Sequence, residues 1–420
     1  MPQIPLYIVT LDNQETLYLA NLTIGTPGQQ IQLHIDTGSS DLWVNAVPSE
    51  FCESNGRCRT GAYDANASST YHYVNSQFDI SYQDGTGASG DYVKDNVDIG
   101  GAILDGQQFG VGYESSNGNG VLGIGYPINE VAVGRAGLKP YPNVPQKLQE
   151  QGLVQSNAYS LWLNDMDANT GSILFGGVDT EKYEGELYTL PILSQSGVYV
   201  EFAIGLTEMA SGGKTIFKDE VVPVLLDSGS SLIYLPNKIV DEIYDRYSVT
   251  YDTQEGYGFV ECDLANSDDT IDFTFTKPTI SVPMNELIFS SSSDPGSNDC
   301  VFGIAPSEGS SSVVLGDTFL RSAYVVYDLT NNEISIAATN FNSTESKIQA
   351  ITNDSDGVPN AVHVDGAPST AAVAPGTGRT ASIQSDVSEA SAAKATPPPT
   401  LRKEVLAGAA AMGAGLFMAS

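Results

Sequence analysis

One short acidic motif occurs twice in the chain, and this repetition constrains the fold more than any other feature. Residues 36–40 read Asp-Thr-Gly-Ser-Ser, and residues 227–231 read Asp-Ser-Gly-Ser-Ser. Apolar β-forming residues precede and follow each copy, which predicts a tight turn between two strands. Two related halves can face each other across a pseudo-two-fold axis, so we expect Asp36 and Asp227 to meet. A pair of carboxylates in that arrangement is suited to acid–base activation of water.

The separation of the two copies indicates a duplicated domain. They lie roughly 190 residues apart, far beyond the periods of solenoid repeats. A second element is also duplicated, because Val-Leu-Gly follows each acidic motif, at residues 121–123 and 314–316. Glycine permits a close approach of two backbones, so we expect these segments to pass directly behind the acidic loops.

The remaining pattern is that of an all-β body with minor helices. Strand-like segments separated by Gly, Asn and Asp turns dominate residues 7–340. Helical periodicity is confined to residues 145–153 and to a segment that starts at Asn237.

The charge balance is strongly acidic. The chain has 51 Asp and Glu residues against 18 Lys and Arg, a formal net charge of -33 at pH 7. Such a surface cannot neutralise phosphates, which excludes nucleic acid as a partner. The charge favours cationic partners or an acidic medium, in which protonation reduces self-repulsion; solubility of a secreted protein is the simpler explanation.

The cysteines and glycosylation sequons favour the secretory route. Two sequence-close pairs predict the disulfides Cys52–Cys58 and Cys262–Cys300. A zinc site is the rival interpretation, but the cysteine spacings are not those of zinc ligands and the histidines lie far away in sequence. We therefore expect no metal and no cofactor. Four Asn-x-Ser/Thr sequons are present, at Asn21, Asn66, Asn342 and Asn353.

The composition of the chain changes near residue 340. Residues 341–400 are rich in Ala, Ser, Thr, Pro and Gly and poor in aromatic residues. Such a segment cannot bury enough apolar surface to fold, which predicts a disordered, O-glycosylated stalk.

A short hydrophobic tail follows at residues 401–420. Its apolar run is shorter than a usual membrane span, and small residues with a polar spacer precede it, as in a glycolipid-anchor signal. A disordered Ala/Gly-rich end and a single tail-anchor helix are the alternatives. The candidate attachment residues are Ser388, Ser391, Ala392 and Ala393.

An anchor signal acts only after entry into the secretory pathway. Residues 1–5 nevertheless lack a basic start followed by an apolar run of signal-peptide length. We expect a signal peptide and a pro-segment to be missing from this chain.

Together, these residues resemble the pepsin-like aspartic endopeptidases. The resemblance covers residues 7–340 and rests on the two acidic motifs, the hairpin segment 81–87 and the two Val-Leu-Gly segments. The fungal glycolipid-anchored yapsin-like members look closest, because of the stalk and the anchor signal. The resemblance implies an all-β, bilobal, pepsin-like fold with a central cleft between an N-terminal lobe, residues 1–195, and a C-terminal lobe, residues 196–340.

The resemblance also implies roles for individual residues. Asp36 and Asp227 are similar to the catalytic pair, which activates a water without a covalent intermediate, and the glycines Gly38 and Gly229 let backbone N–H groups approach them. Ser39 is similar to the hydroxyl that bonds the first aspartate, and Thr37 and Ser228 are similar to the paired hydroxyls that lock the two loops. Tyr82 and Trp43 are similar to the flap tyrosine and its hydrogen-bond partner. Asp84, Gly85 and Thr86 complete the flap.

The flap departs from that of the mammalian digestive members, which have a shorter, glycine-led turn. Fungal members with an acidic flap residue accept lysine next to the cleaved bond. Asp84 therefore has two interpretations: it attracts a basic substrate side chain, or it is a solvated turn residue.

We expect a secreted, surface-anchored, monomeric aspartic endopeptidase. Its partners would be peptide and protein substrates, cut at acidic pH beside basic or hydrophobic residues, and it would meet the membrane only through its lipid anchor. The alternative is a catalytically idle cell-wall binding or adhesion protein on the same fold. The presence of Asp36, Asp227, Ser39 and Tyr82 together favours the enzyme.

Overall fold

The strands of the first half build most of one large sheet. The computed structural model describes residues 6–47, 49–54, 58–290, 298–307 and 313–370. The first eight strands are β1 (Tyr7–Asn13), β2 (Tyr18–Ile24), β3 (Gln29–Asp36), β4 (Leu42–Asn45), β5 (His72–Ser81), β6 (Gly87–Ile99), β7 (Ala102–Ser115) and β8 (Gly120–Gly123).

Four further strands connect this half to the second: β9 (Ala158–Trp162), β10 (Thr170–Phe175), β11 (Gly177–Asp179) and β12 (Tyr183–Pro191). The second half contributes β13 (Ala203–Ser211), β14 (Lys214–Leu226), β15 (Ile233–Leu235), β16 (Thr250–Asp252), β17 (Tyr257–Glu261), β18 (Thr270–Thr274), β19 (Thr279–Pro283), β20 (Ile288–Ser290), β21 (Asp299–Phe302), β22 (Ile304–Pro306), β23 (Val313–Leu315), β24 (Ala323–Asp328) and β25 (Glu333–Thr339).

The described helices are few and short. They are α1 (Glu50–Glu53), α2 (Val131–Gly134), α3 (Val144–Glu150), α4 (Asn237–Tyr247), α5 (Met284–Leu287) and α6 (Asp317–Leu320), with 3-10 turns at Ala65–Ala67, Pro127–Asn129 and Cys262–Asn266. Helix α4 buries Val240, Ile243 and Tyr244, as the sequence periodicity predicts. No helix in the described ranges combines the length and hydrophobicity needed to cross a membrane.

The sheet topology joins the two halves through a shared centre. A 14-stranded sheet has the order β27-β12-β25-β24-β9-β10-β1-β2-β3-β8-β4-β7-β6-β5, where β27 is the late strand Ala361–His363. A seven-stranded sheet has the order β19-β18-β13-β14-β23-β15-β22. Strands β24 and β25 come from the predicted C-terminal lobe, yet they pair into the sheet of the first half. The bilobal all-β architecture predicted from the sequence is confirmed; the lobe boundary at residue 195 stays a prediction.

The duplication is visible in the strand pairing around the two acidic loops. Strand β3 runs parallel to β8 with Asp36 opposite Gly123, and β4 pairs antiparallel to β8. In the second half β14 runs parallel to β23, and β15 pairs antiparallel to it. A methyl group added at Gly123 would lie 2.7 Å from the backbone of Asp41, and one added at Gly316 would collide with the backbone of Ser230. The predicted close passage behind each loop is therefore confirmed.

The predicted disordered stalk requires a correction at its start. Residues 341–370, which we call the C-terminal strap, contain β26 (Ile348–Ala350) and β27 (Ala361–His363). Strand β26 pairs with β11 and β27 pairs with β12. The ordered body therefore continues past residue 340, whereas residues 371–400 of the predicted stalk and the tail at 401–420 lie outside the described residues.

The strap is ordered because it carries scattered apolar residues and ample backbone pairing. Ile351 and Val358 are buried in a cluster with Trp162 and Tyr324 of the central sheet. Tyr327 follows Tyr324 by three positions in β24, so its side chain lies on the opposite face of that sheet, beside Thr37. The strap thus covers the face of the central sheet that is turned away from the acidic loops.

Candidate active site

Two buried carboxyl groups form the centre of the site. Asp36 ends β3 and Asp227 follows β14, and their side chains are 1% and 0% exposed. The carboxyl groups lie within hydrogen-bonding range of each other. A methyl group added at Gly38 would lie 2.5 Å from Asp227 Oδ1, so only glycine allows the first loop to approach the second carboxyl group this closely.

Each carboxyl group is held by donors of its own loop. The amide of Gly38 donates to Asp36 Oδ1 at 2.8 Å, and the amide of Gly229 donates to Asp227 Oδ1 at 2.8 Å. The hydroxyl of Ser39 donates to Asp36 Oδ2, and the equivalent hydroxyl of Ser230 donates to Asp227 Oδ2 at 2.7 Å. These donors fix the orientation of both carboxyl groups.

Ser230 was missed by the sequence-based assignment. Its signal was present, because it stands at the fourth position of the second motif, as Ser39 does in the first.

Two side-chain hydroxyls lock the loops together beneath the carboxyl pair. Thr37 Oγ1 donates to the carbonyl of Leu226 at 2.9 Å and accepts from the amide of Ser228 at 2.9 Å. Reciprocally, Ser228 Oγ donates to the carbonyl of Ile35 at 3.1 Å and accepts from the amide of Thr37 at 3.2 Å. Because all four bonds are buried, the two loops are held at one separation.

The electrostatics of the pair are asymmetric. Burial raises the pKa of Asp227 well above its usual range, and the negative charge of Asp36 raises it further. Burial also raises the pKa of Asp36, but the hydrogen bonds from Ser39 and Gly38 oppose this effect. Two carboxyl groups this close cannot both ionise, so they share one proton, and the larger pKa shift of Asp227 favours its protonated form.

A third buried carboxyl group lies close to the pair. Asp317 begins α6, and neither of its carboxyl oxygens has a hydrogen-bond partner among the described residues. Burial raises the pKa of Asp317 well above its usual value, and nearby Arg321 only partly opposes this shift. Asp317 is therefore a neutral acid, and it adds no negative charge next to Asp227 under acidic conditions.

The hairpin of β5 and β6 carries the predicted flap residues. Its turn is closed by a bond from the amide of Tyr82 to the carbonyl of Thr86 at 2.8 Å, and Gly85 adopts a φ of 81° that favours glycine. Trp43 Nε1 donates to the hydroxyl of Tyr82 at 2.8 Å. Asp84 Oδ1 accepts from both the amide and the hydroxyl of Thr86, at 2.8 and 2.7 Å. One carboxylate oxygen of Asp84 thus stabilises the turn.

A buried hydrogen-bond network behind the first loop was not found from the sequence. Asp41 accepts from the hydroxyls of Tyr92 and Tyr141 at 2.7 and 2.8 Å and from the amide of Val131 at 2.8 Å. Glu130 accepts from the amide of Tyr141 at 2.9 Å. Burial and the proximity of Asp41 raise the pKa of Glu130 to about 10. The folded protein keeps that proton, whereas the unfolded chain releases it above about pH 4.5. The contribution of Glu130 to the free energy of unfolding is therefore most favourable in acid and declines as the pH rises from about 4.5 towards about 10.

The predicted disulfide cysteines and glycosylation sequons lie outside the two acidic loops. Both predicted disulfides are present, so no described cysteine remains for the rival zinc site. The four sequon asparagines are exposed. His34, two residues before Asp36, is buried, and burial lowers its pKa to about 4.

Comparison with known proteins gives a consistent result. A family model described as eukaryotic aspartyl protease matches residues 17–339. A probable aspartic-type endopeptidase opsB from Aspergillus oryzae is 52% identical, over 96% of this chain and 86% of that protein. A protein of the same name from Aspergillus fumigatus is 55% identical, over 88% of this chain and 78% of that protein.

Among solved structures, an aspartic proteinase from Irpex lacteus matches with a TM-score of 0.68 and 23% identity. The match covers 82% of this chain and 100% of that one, and it shows a common fold.

Proposed function

The chain belongs to the eukaryotic aspartyl protease family and is an aspartic-type endopeptidase, and from this premise we propose that Asp36 and Asp227 are its catalytic pair. One observation carries the assignment: two buried carboxyl groups, each at the same position of a duplicated loop, lie within hydrogen-bonding range of each other. Fully buried carboxyl pairs with strongly shifted pKa values cluster at functional sites.

The mechanism follows from the asymmetry of the pair, because aspartic proteases work with two carboxyl groups that share one proton. The ionised Asp36 takes a proton from a water molecule, whose oxygen attacks the carbonyl carbon of the scissile peptide bond. Asp227 donates its proton to the carbonyl oxygen. As the carbon–nitrogen bond breaks, Asp36 gives its proton to the leaving amine and Asp227 regains a proton from a hydroxyl of the intermediate, which restores the pair. Ser39 and Ser230 keep the carboxyl groups oriented throughout.

The flap completes the site around a bound peptide. The hydrogen bond from Trp43 fixes the hydroxyl of Tyr82, and the hairpin that carries Tyr82 is positioned to close over the substrate and exclude water. The strongly acidic charge of the chain and the raised pKa of Asp227 both support activity at acidic pH.

The catalytic assignment is tested by Asp36→Asn. This change keeps the shape of the side chain and removes the base, so hydrolysis of a peptide substrate at about pH 4 should fall by about 1,000-fold or more. A statine-type transition-state analogue should abolish the wild-type activity. Asp12→Asn, an acidic residue of β1, is the matched control and should keep full activity. Hydrolysis that persists at the wild-type rate in Asp36→Asn would refute the assignment.

We also propose that Asp84 selects substrates with a basic residue beside the cleaved bond. The turn uses only Asp84 Oδ1 in its hydrogen bonds with Thr86, which leaves the charge of the carboxylate available to a substrate cation. The proposal extends to hydrophobic residues at the cleavage site, which would bind without this carboxylate.

Asp84→Asn separates the charge from the turn geometry, because asparagine keeps the oxygen that accepts from Thr86. Cleavage next to Lys or Arg should fall about tenfold in kcat/KM, equivalent to about 1.4 kcal/mol. Cleavage next to Leu or Phe should change less than about twofold. Peptide pairs that differ only at the residue beside the cut provide the measurement. An equal loss on both substrates would show that Asp84 only shapes the turn.

Finally, we propose that the protein is secreted and held at the cell surface by a glycolipid anchor attached near residues 388–393. Two disulfides and four exposed sequons support an extracellular location. The composition of residues 401–420 supports the anchor signal.

The anchor is tested in fungal cells by expressing the chain behind a secretion signal, with and without residues 401–420. The full chain should fractionate with membranes and be released by a phosphatidylinositol-specific phospholipase. The shortened chain should appear in the medium as an active enzyme. The same distribution for both forms would argue against the anchor.

A further inference from the structure

A short segment links the first catalytic loop to the flap. We call residues 127–137 the bracket segment; it contains a 3-10 turn and helix α2. Asn129 Nδ2 donates to the carbonyl of Gly38 at 3.4 Å, and the amide of Val131 donates to Asp41 Oδ2 at 2.8 Å. Both contacts fall on the loop that contains Asp36. One end of the bracket segment is therefore fixed to the catalytic loop.

The middle of the bracket segment packs under the flap. Val131 and Ala132 share a buried cluster with Phe78 and Ile80 of β5, and the same cluster includes Tyr82. Side chains alternate along a strand, so the neighbours of Phe78 and Ile80 in β5 point to the outer face of the hairpin. The flap strand thus has an apolar side on α2 and a polar side toward solvent.

Arg135 follows α2 and reaches that polar side. Its Nη1 donates to the backbone carbonyl of Asp79 at 3.0 Å, and its Nη2 donates to the hydroxyl of Ser81. The guanidinium also lies 3.1 Å from the carboxylate of Asp79. Arg135 therefore binds Asp79 and Ser81, the two residues of β5 that lie closest to Tyr82 on the polar side of the strand.

The contacts of Arg135 with β5 differ in strength. The carboxylate of Asp79 is 68% exposed, and an ion pair that exposed contributes little. The bonds to the carbonyl of Asp79 and to Ser81 come from one planar fork, so they fix the strand in a defined direction. These two hydrogen bonds are therefore the contacts that orient β5.

We propose that Arg135 is a positioning residue for the flap, which holds β5 against the bracket segment and so keeps Tyr82 over the catalytic pair while a peptide is bound. This role rests on the proposed catalytic function of Asp36 and Asp227. In this role the bracket segment couples the catalytic loop to the flap.

The test compares Arg135→Ala and Arg135→Lys with the exposed control Lys139→Ala. In Arg135→Ala, KM for a long peptide and the dissociation rate of a statine-type inhibitor should each rise about threefold to tenfold, the size expected from one or two lost hydrogen bonds. At saturating substrate, kcat should stay within about twofold. Arg135→Lys should give intermediate values, and Lys139→Ala should match the wild type. Active enzyme is counted by titration with the inhibitor.

Asp79→Asn separates the ion pair from the hydrogen bonds of Arg135, because it removes the carboxylate and keeps the backbone carbonyl. Its effect on KM should be less than about twofold. An effect as large as that of Arg135→Ala would contradict the assignment to the directional bonds.

Two results would overturn the positioning role. One is a wild-type KM and inhibitor dissociation rate in Arg135→Ala. The other is a fall in the number of titratable active sites with KM and the inhibitor dissociation rate unchanged, which would mean that Arg135 serves only folding. If Asp36→Asn were active, the catalytic proposal itself would fail; if Asp36→Asn were inactive and Arg135→Ala unchanged, only the positioning role would fail.

Discussion

The reciprocal hydrogen bonds between Thr37 and Ser228 are the interaction on which the rest of the structure depends. Each residue donates to a carbonyl of the opposite loop and accepts an amide from it. Every donor and acceptor is buried, and breaking one bond would leave an unsatisfied polar group that costs about 1–3 kcal/mol. The two halves can therefore meet at only one separation. That separation brings Asp36 and Asp227 within hydrogen-bonding range.

The chemistry of the pair follows from this enforced proximity. Two buried carboxyl groups that close cannot both ionise. The donors around them are nearly symmetric, because a glycine amide and a serine hydroxyl hold each one. The charge of Asp36 nevertheless raises the pKa of Asp227 further. The hydrogen-bond donors are therefore symmetric, whereas the pKa values of the two carboxyl groups differ. One member can act as base and the other as acid.

Much of this arrangement could be predicted from the sequence, because the same motifs occur in both halves of the chain. The two acidic motifs and the Val-Leu-Gly segments mark equivalent positions, and they indicated both loops and the strands behind them. The network of Asp41 and Glu130 could not be predicted, since its members are far apart in sequence and none repeats in the second half. The strap was missed because average composition hides single residues such as Ile351, whose burial requires a specific partner surface.

The central claim is that Asp36 and Asp227 act as one titrating unit that holds a single proton in its active state. The pH dependence of kcat/KM for an uncharged peptide tests this claim most directly, provided that the enzyme stays folded at each pH. We predict a bell-shaped profile, which rises as the pair loses its first proton and falls as it loses the second. A profile with a single ionisation, or one that stays flat from acid to neutral pH, would contradict it.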